Sequence, residues 1–201
     1  MKKPLIMIAV CLLCGSLQLP ARGFHAGAGW GASMNMVRDY HFNWRDDNFG
    51  YRIDENGADP FDAFNAWIEG FISQDIGRKH AISLRSGWQG ITKGRRNVPM
   101  TLRWDWHFAG NYADGWFVFA GGGAVFGKFT GTNFSWTAGE GAGYRIHLGG
   151  GDCLDITAGF RSVLDRPRIY DAVEGRYVSG RNTLRNNVWY HALSVGISLS
   201  F

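Results

Sequence analysis

The chain has 201 residues, with 21 basic and 17 acidic side chains, 29 glycines, three cysteines and an aromatic content of 15%. A basic excess this small, part of it in the first residues, gives no support for nucleic-acid binding. Abundant glycine beside abundant Trp, Tyr and Phe is unusual for a soluble enzyme and ordinary for a β-barrel with a crowded interior and aromatic belts.

Lys2 and Lys3 precede the apolar run PLIMIAVCLLCGSL from Pro4 to Leu17. A short positive region, an apolar stretch too short to span a bilayer and the small residues of Ala21-Arg22-Gly23 predict a signal peptide over residues 1–23. Cleavage is expected after Gly23, with Ala21 as the alternative site. Lys2, Lys3 and Arg22 leave with this leader, and 18 basic side chains then face 17 acidic ones. Two cysteines leave as well. Cys153 remains alone, so no intramolecular disulfide is available to residues 24–201.

The remaining residues read as one domain built from eight alternating segments. The first runs from Phe24 to Met36, with Phe24, Trp30, Met34 and Met36 on one parity and mostly Gly, Ser and Asn on the other. The second, about Phe64 to Ser73, sets Phe64, Ile68 and Ile72 against Asn65, Trp67, Glu69 and Phe71. The third sets Ile82, Leu84 and Trp88 against Ser83, Arg85 and Gln89. The fourth, MTLRWDWHF, alternates Met100, Leu102, Trp104, Trp106 and Phe108 with Thr101, Arg103, Asp105 and His107. A helix would mix these sets on one surface, whereas a strand separates them.

The fifth segment, WFVFAGGGAVFGKF, is apolar on both parities, and its faces cannot be assigned. The sixth separates Trp136, Tyr144, Ile146 and Leu148 from Arg145 and His147. The seventh separates Leu154, Ile156 and Phe160 from Asp155, Thr157 and Arg161. The eighth, HALSVGISLSF, alternates Leu193, Val195, Ile197, Leu199 and Phe201 with small and polar residues. Short turns join strands two and three, four and five, and six and seven. Long connections lie between residues 36 and 64 and after strand seven. Short turns at one end and long loops at the other predict an all-β fold, an eight-stranded antiparallel up-and-down transmembrane β-barrel.

The leader, the eight strands, the alternating turn lengths and the terminal WYHALSVGISLSF resemble the small eight-stranded outer-membrane β-barrel proteins of Gram-negative bacteria. The resemblance implies residence in the cell outer membrane, contact with its lipid and lipopolysaccharide, and insertion by the barrel-assembly machinery. In that family a C-terminal aromatic preceded by alternating apolar residues is the assembly signal. Phe201, Leu199, Ile197, Val195 and Leu193 match it. A soluble barrel would turn its apolar residues inward, yet here one parity carries Glu, Arg, Asp and His on several strands.

Those charged groups are expected to fill the lumen, because an eight-stranded barrel is just wide enough for side chains. A tight turn centred on Gly150 would set Arg145 opposite Asp155. A turn centred on Gly77 would set Glu69 opposite Arg85, which would next meet Arg103 or Asp105. Glu140 has the lipid-facing parity, and a bulge among its neighbouring glycines is expected to return it to the lumen. In the first loop Asp46, Asp47, Asp54, Glu55 and Asp59 match no calcium-loop spacing and read as turn formers. In the last loop Arg166, Arg168, Arg176, Arg181 and Arg185 are candidate contacts for lipopolysaccharide phosphates.

No cofactor or metal is expected, and no extracellular partner is named by the residues. Some barrels of this size acylate or deacylate lipid A. A serine mechanism needs Ser, His and an acid on one face. His191 has the lipid-facing parity but Ser194 does not, and no His-x-Ser pair stands at a clear strand position. The expectation is therefore a non-enzymatic membrane protein whose loops serve adhesion, envelope integrity or partner binding. A lipid-A-modifying enzyme and a narrow pore are the alternatives.

Overall fold

A computed structural model describes residues 23–46, 50–92, 95–126, 134–171 and 173–201. The predicted leader, apart from Gly23, lies outside the described residues, as does Asp47. The strands are β1 (Phe24–Arg45), β2 (Arg52–Ile76), β3 (His80–Thr92), β4 (Arg95–His107), β5 (Gly115–Phe126), β6 (Phe134–Gly149), β7 (Asp152–Asp165), β8 (Tyr170–Asp171), β9 (Arg176–Tyr177) and β10 (Thr183–Ser200). Eight of them close into an antiparallel barrel in the order β1-β10-β7-β6-β5-β4-β3-β2, as the alternation predicts. The short β8–β9 ladder belongs to the last loop.

The seam between β1 and β10 closes the barrel from Gly27↔Ser200 to Trp44↔Thr183. Phe201 extends it by exchanging backbone hydrogen bonds with Ala26 at 2.9 and 3.0 Å. Its side chain points outward, as do those of Leu193, Val195 and Ile197. Leu199 shares their parity and is half-buried.

Large apolar side chains cover the outer wall. Ile68, Leu102, Ile156, Leu193 and Val195 are all about half exposed or more. Aromatic rings bracket this band. Phe24, Trp106, Phe108, Trp116, Tyr144 and Phe201 point outward near the short turns. Phe64, Trp88, Phe126, Trp136 and Trp189 point outward towards the other end. An aliphatic band between two aromatic girdles is the surface pattern of a membrane-spanning barrel.

Inside, aromatic rings and charged groups fill the space together. Trp67, Phe71 and Phe117 are buried. Glycines make the room: a Cβ at Gly196 would overlap the Trp67 ring, and one at Gly143 would overlap Phe117. This also settles the faces of β5. Phe117 and Val125 are fully enclosed, while Trp116 and Phe126 face out.

Three expectations need correction. First, the stretch from residue 36 to residue 64 is mostly strand rather than loop, because β1 continues to Arg45 and β2 starts at Arg52. A register shift between Asn35 and Val37 breaks the alternation, and in sequence this looks like the end of a strand. Second, Glu140 is not turned inward. The β5–β6 ladder runs unbroken through Ala120↔Glu140, the β6–β7 ladder through Glu140↔Phe160, and the carboxylate side is exposed on the outer wall. Third, the β2–β3 turn is centred on Arg78, since Ile76 pairs with His80. Glu69 therefore lies opposite Gly87, and Arg85 lies opposite Phe71.

Candidate functional site

The lumen is layered. Nearest the short turns, Arg145 grips Asp155 with two hydrogen bonds of 2.7 Å, from Nε to Oδ1 and from Nη2 to Oδ2. The two residues are direct cross-strand partners. Arg145 Nη1 also donates to the Asn111 carbonyl at 2.9 Å, tying in the β4–β5 turn. His107 is buried here beside Phe117, with ring centroids 4.8 Å apart.

The middle layer holds Glu69, Arg85, Arg103 and Asp105. Arg85 Nη1 donates to Glu69 Oε1 at 2.5 Å across a diagonal of the ladder, so the pair forms although the two are not directly opposed. Arg103 Nε donates to Asp105 Oδ1 at 2.6 Å. The guanidinium groups also lie over rings: Arg85 is 4.3 Å from the Phe71 centroid and Arg103 is 4.1 Å from that of Phe119. Such stacking suits a weakly hydrated, planar cation. A cavity of about 80 Å³ remains, lined by Glu69, Arg85, Arg103 and Arg161 among others.

Above that cavity an apolar cluster sits among the buried polar side chains of Asn35, Gln89 and Asn97. Ile91, Val125, Val163, Val188 and Tyr190 form a buried cluster, with Tyr40 and Phe42 packed against it. A second cluster of Trp44, Ile169 and Val178 sits under the last loop. Between the long β1–β2 hairpin and that loop lies a cavity of about 510 Å³, lined by Arg38, Glu55, Arg168, Tyr170 and Tyr190 among others.

Asp54 and Asp59 are used within the hairpin. Asp54 accepts from Asn43 Nδ2 at 2.6 Å and from Arg52 Nη2 at 3.3 Å, and lies 2.8 Å from His41 Nε2. Asp59 accepts from Arg38 Nη2 at 2.5 Å. Among the described residues no three His, Cys, Asp or Glu side chains converge as metal ligands do. The five loop arginines do not form one constellation. Arg176 is bound to Glu174 at 2.6 Å, Arg168 lines the outer cavity, and Arg185 stands on β10 opposite Asn43.

One cluster lies on the outer wall and draws on three adjacent strands. His191 Nδ1 is 2.8 Å from Ser162 Oγ, and His191 Nε2 is 3.0 Å from Asp39 Oδ2. Ser162 on β7 is the direct cross-strand partner of His191 on β10. Asp39 comes from β1, two residues beyond Val37, which pairs with His191. The imidazole is stacked nearly parallel to Phe160 (12°) and to Trp189 (9°). The sequence offers His191 with Ser194 on its own strand, whereas the structure supplies Ser162 from β7 and Asp39 from β1. Nothing in the sequence pairs Ser162 with His191, because their apposition follows from the β7–β10 register.

No family model matches the chain, and no curated protein matches it. Solved structures similar to it include the Salmonella SPI-1 type III secretion injectisome secretin InvG in the open gate state, at 7% identity and a TM-score of 0.22. Another is the InvG secretin-domain β-barrel, at 9% identity and a TM-score of 0.17. A third is the V. cholerae type IV competence pilus secretin PilQ, at 10% identity and a TM-score of 0.15. These alignments cover 100%, 96% and 98% of this chain and 65%, 66% and 64% of the others. The chain thus spans slightly less than two thirds of each, and likenesses this loose carry no argument. What the protein's own geometry defines is a closed, eight-stranded, all-β barrel with a filled interior.

Proposed function

We propose that this protein is an integral outer-membrane barrel, sealed along its axis, that acts through its outer wall and its long-loop end rather than as a conduit. The observation that carries this reading is the outward aliphatic band between two aromatic girdles, with Glu69, Arg85, Arg103, Asp105, Arg145 and Asp155 turned inward. Exposing so much apolar surface to water is unfavourable at roughly 25 cal/mol per Å², and lipid removes that cost. Inside, the buried ion pairs and the packed rings of Trp67, Phe71 and Phe117 oppose a continuous water path.

The long-loop end supplies surfaces for adhesion, envelope integrity or partner binding. Its 510 Å³ cavity falls in the size range of small-ligand sites, which is about 300–1,000 Å³. Arg168 lines that cavity, and with Arg166, Arg176, Arg181 and Arg185 it supplies cations suited to lipopolysaccharide phosphates at this end. Phe201 and the alternating residues before it serve as the signal read by the assembly machinery.

Cell fractionation with a gel-mobility assay before and after boiling tests the placement. Outer-membrane recovery with heat-modifiable mobility is expected, and recovery in the soluble periplasm would overturn it. Planar-bilayer recording tests the seal: silent membranes are expected, and reproducible unitary currents would overturn it.

A further inference from the structure

We infer that Ser162, His191 and Asp39 form a nucleophilic site on the outer wall that cleaves acyl esters of membrane lipids. Its membrane setting rests on the placement proposed above; its chemistry does not. Both imidazole nitrogens are engaged, at 2.8 Å by Ser162 and at 3.0 Å by Asp39. A single tautomer satisfies both contacts: Nε2–H donates to the carboxylate, and Nδ1 accepts from the serine hydroxyl. That is the relay a serine nucleophile requires, with base and orienting acid in line.

Three features argue that the arrangement is built rather than incidental. The register shift between Asn35 and Val37 resets the parity of β1, so that Asp39 points out beside His191 instead of into the lumen. Bulges of this kind re-aim side chains and are frequent next to active sites. Phe160 and Trp189 hold the imidazole plane from two sides. Finally, polar groups on the lipid-facing side of a barrel are costly unless they serve a purpose. Here an acid, a base and a hydroxyl share one sector, with Trp189 of the upper girdle beside them and Leu193 below.

That position selects the substrate. At the girdle, the wall meets the backbone region of a lipid, where ester carbonyls join acyl chains to the headgroup. Ser162 Oγ attacks such a carbonyl carbon while its proton passes to His191 Nδ1. The C–O bond to the lipid alcohol then breaks, the alcohol oxygen takes that proton, and the acyl group stays on Ser162. Water attacks the acyl-serine with His191 again accepting a proton, which returns to Ser162 Oγ as the fatty acid leaves. Asp39 touches neither substrate nor reacting atoms and is a positioning residue. Phospholipids and lipopolysaccharide both carry esters at this depth.

Purified full-length protein in detergent, treated with a fluorophosphonate serine reagent and mapped by mass spectrometry, tests the nucleophile. Labelling of Ser162 is expected, reduced about 10²-fold or more in His191→Ala, and reduced less in Asp39→Asn. Absence of labelling at Ser162, or labelling unchanged in His191→Ala, would overturn the site. Fatty-acid release is then followed in mixed micelles of diacyl phospholipid and, separately, of purified lipopolysaccharide. Release from either, lost in Ser162→Ala of normal heat-modifiable mobility, supports the inference and identifies the lipid. Release from neither would overturn acyl esters as the substrate. Labelling that persists in a protein recovered from the soluble periplasm would separate failure of the membrane placement from failure of the chemistry.

Discussion

Arg145 and Asp155 face each other directly across β6 and β7 and share two 2.7 Å hydrogen bonds inside the barrel. Their side chains are 14% and 4% exposed. Removing one partner of such a pair leaves an uncompensated charge, at a cost of about 3–5 kcal/mol. Asp155→Ala is therefore expected to destabilise more than Asp155→Ala combined with Arg145→Met. Urea unfolding from lipid vesicles, followed by tryptophan fluorescence, measures both. Equal or additive losses would show that the pair is open to water.

Leu102 is 56% exposed on β4, and its neighbour Thr101 lines the lumen cavity. Leu102→Arg near the bilayer midplane should cost about 2–4 kcal/mol. Cysteines introduced singly at 101 and 102 should differ in reactivity towards a lipid-soluble maleimide, with 102 reacting faster. Equal rates would contradict the assigned faces.

The register reset in β1 has a covalent test. Val37 pairs with His191 across the seam, and directly paired strand residues have Cα atoms about 4.5–5.5 Å apart, within disulfide range. Val37→Cys with His191→Cys should form a disulfide on mild oxidation, seen as altered mobility on a non-reducing gel. An uninterrupted β1 would turn residue 37 inward and prevent it.

At the short-turn end, Tyr112 donates its hydroxyl to Asp75 Oδ2 at 2.6 Å. Burial, then the hydrogen bond and charge of Asp75, push the Tyr112 phenol up to about 12. The unfolded chain has the lower value, so the folded state holds this proton more tightly. The contribution is whole below about pH 10 and is lost as pH rises towards the folded value. Ultraviolet titration at the phenolate band should show one late-titrating tyrosine that vanishes in Tyr112→Phe. The variant's unfolding midpoint should also fall less steeply above pH 10.

Strict alternation made the barrel legible. In β4, Thr101 to Phe108 change faces at every residue, and nothing but a strand with unlike sides does that. The charges of the lumen were legible for the same reason, since Glu69, Arg85, Arg103 and Asp105 share the parity opposite to the apolar band. Pairing was legible only where turn geometry was simple. The Gly150 turn set Arg145 against Asp155 correctly, whereas the three-residue turn at Gly77 moved Glu69 two places from Arg85, a gap that the long Arg85 side chain bridges. The outer-wall cluster was hidden for two physical reasons. A bulge carries no residue signature of its own, so Asp39 looked like loop. Hydrogen bonds between strands depend on register, so Ser162 and His191 looked unrelated.

The β1–β10 seam has a consequence for the order of events during biogenesis. It joins the first and last strands, as in Gly27↔Ser200, and contacts so distant along the chain carry the largest loop-closure cost and form late. Asp39 lies on one side of that seam and His191 on the other. A chain still open as a curled sheet, with its edges apart, holds Ser162 beside His191 but lacks the carboxylate that orients the ring. The three side chains become a working set only when the cylinder shuts. On the chemistry proposed for this site, a chain whose barrel is still open would be silent, and activity would report closure of the β1–β10 seam.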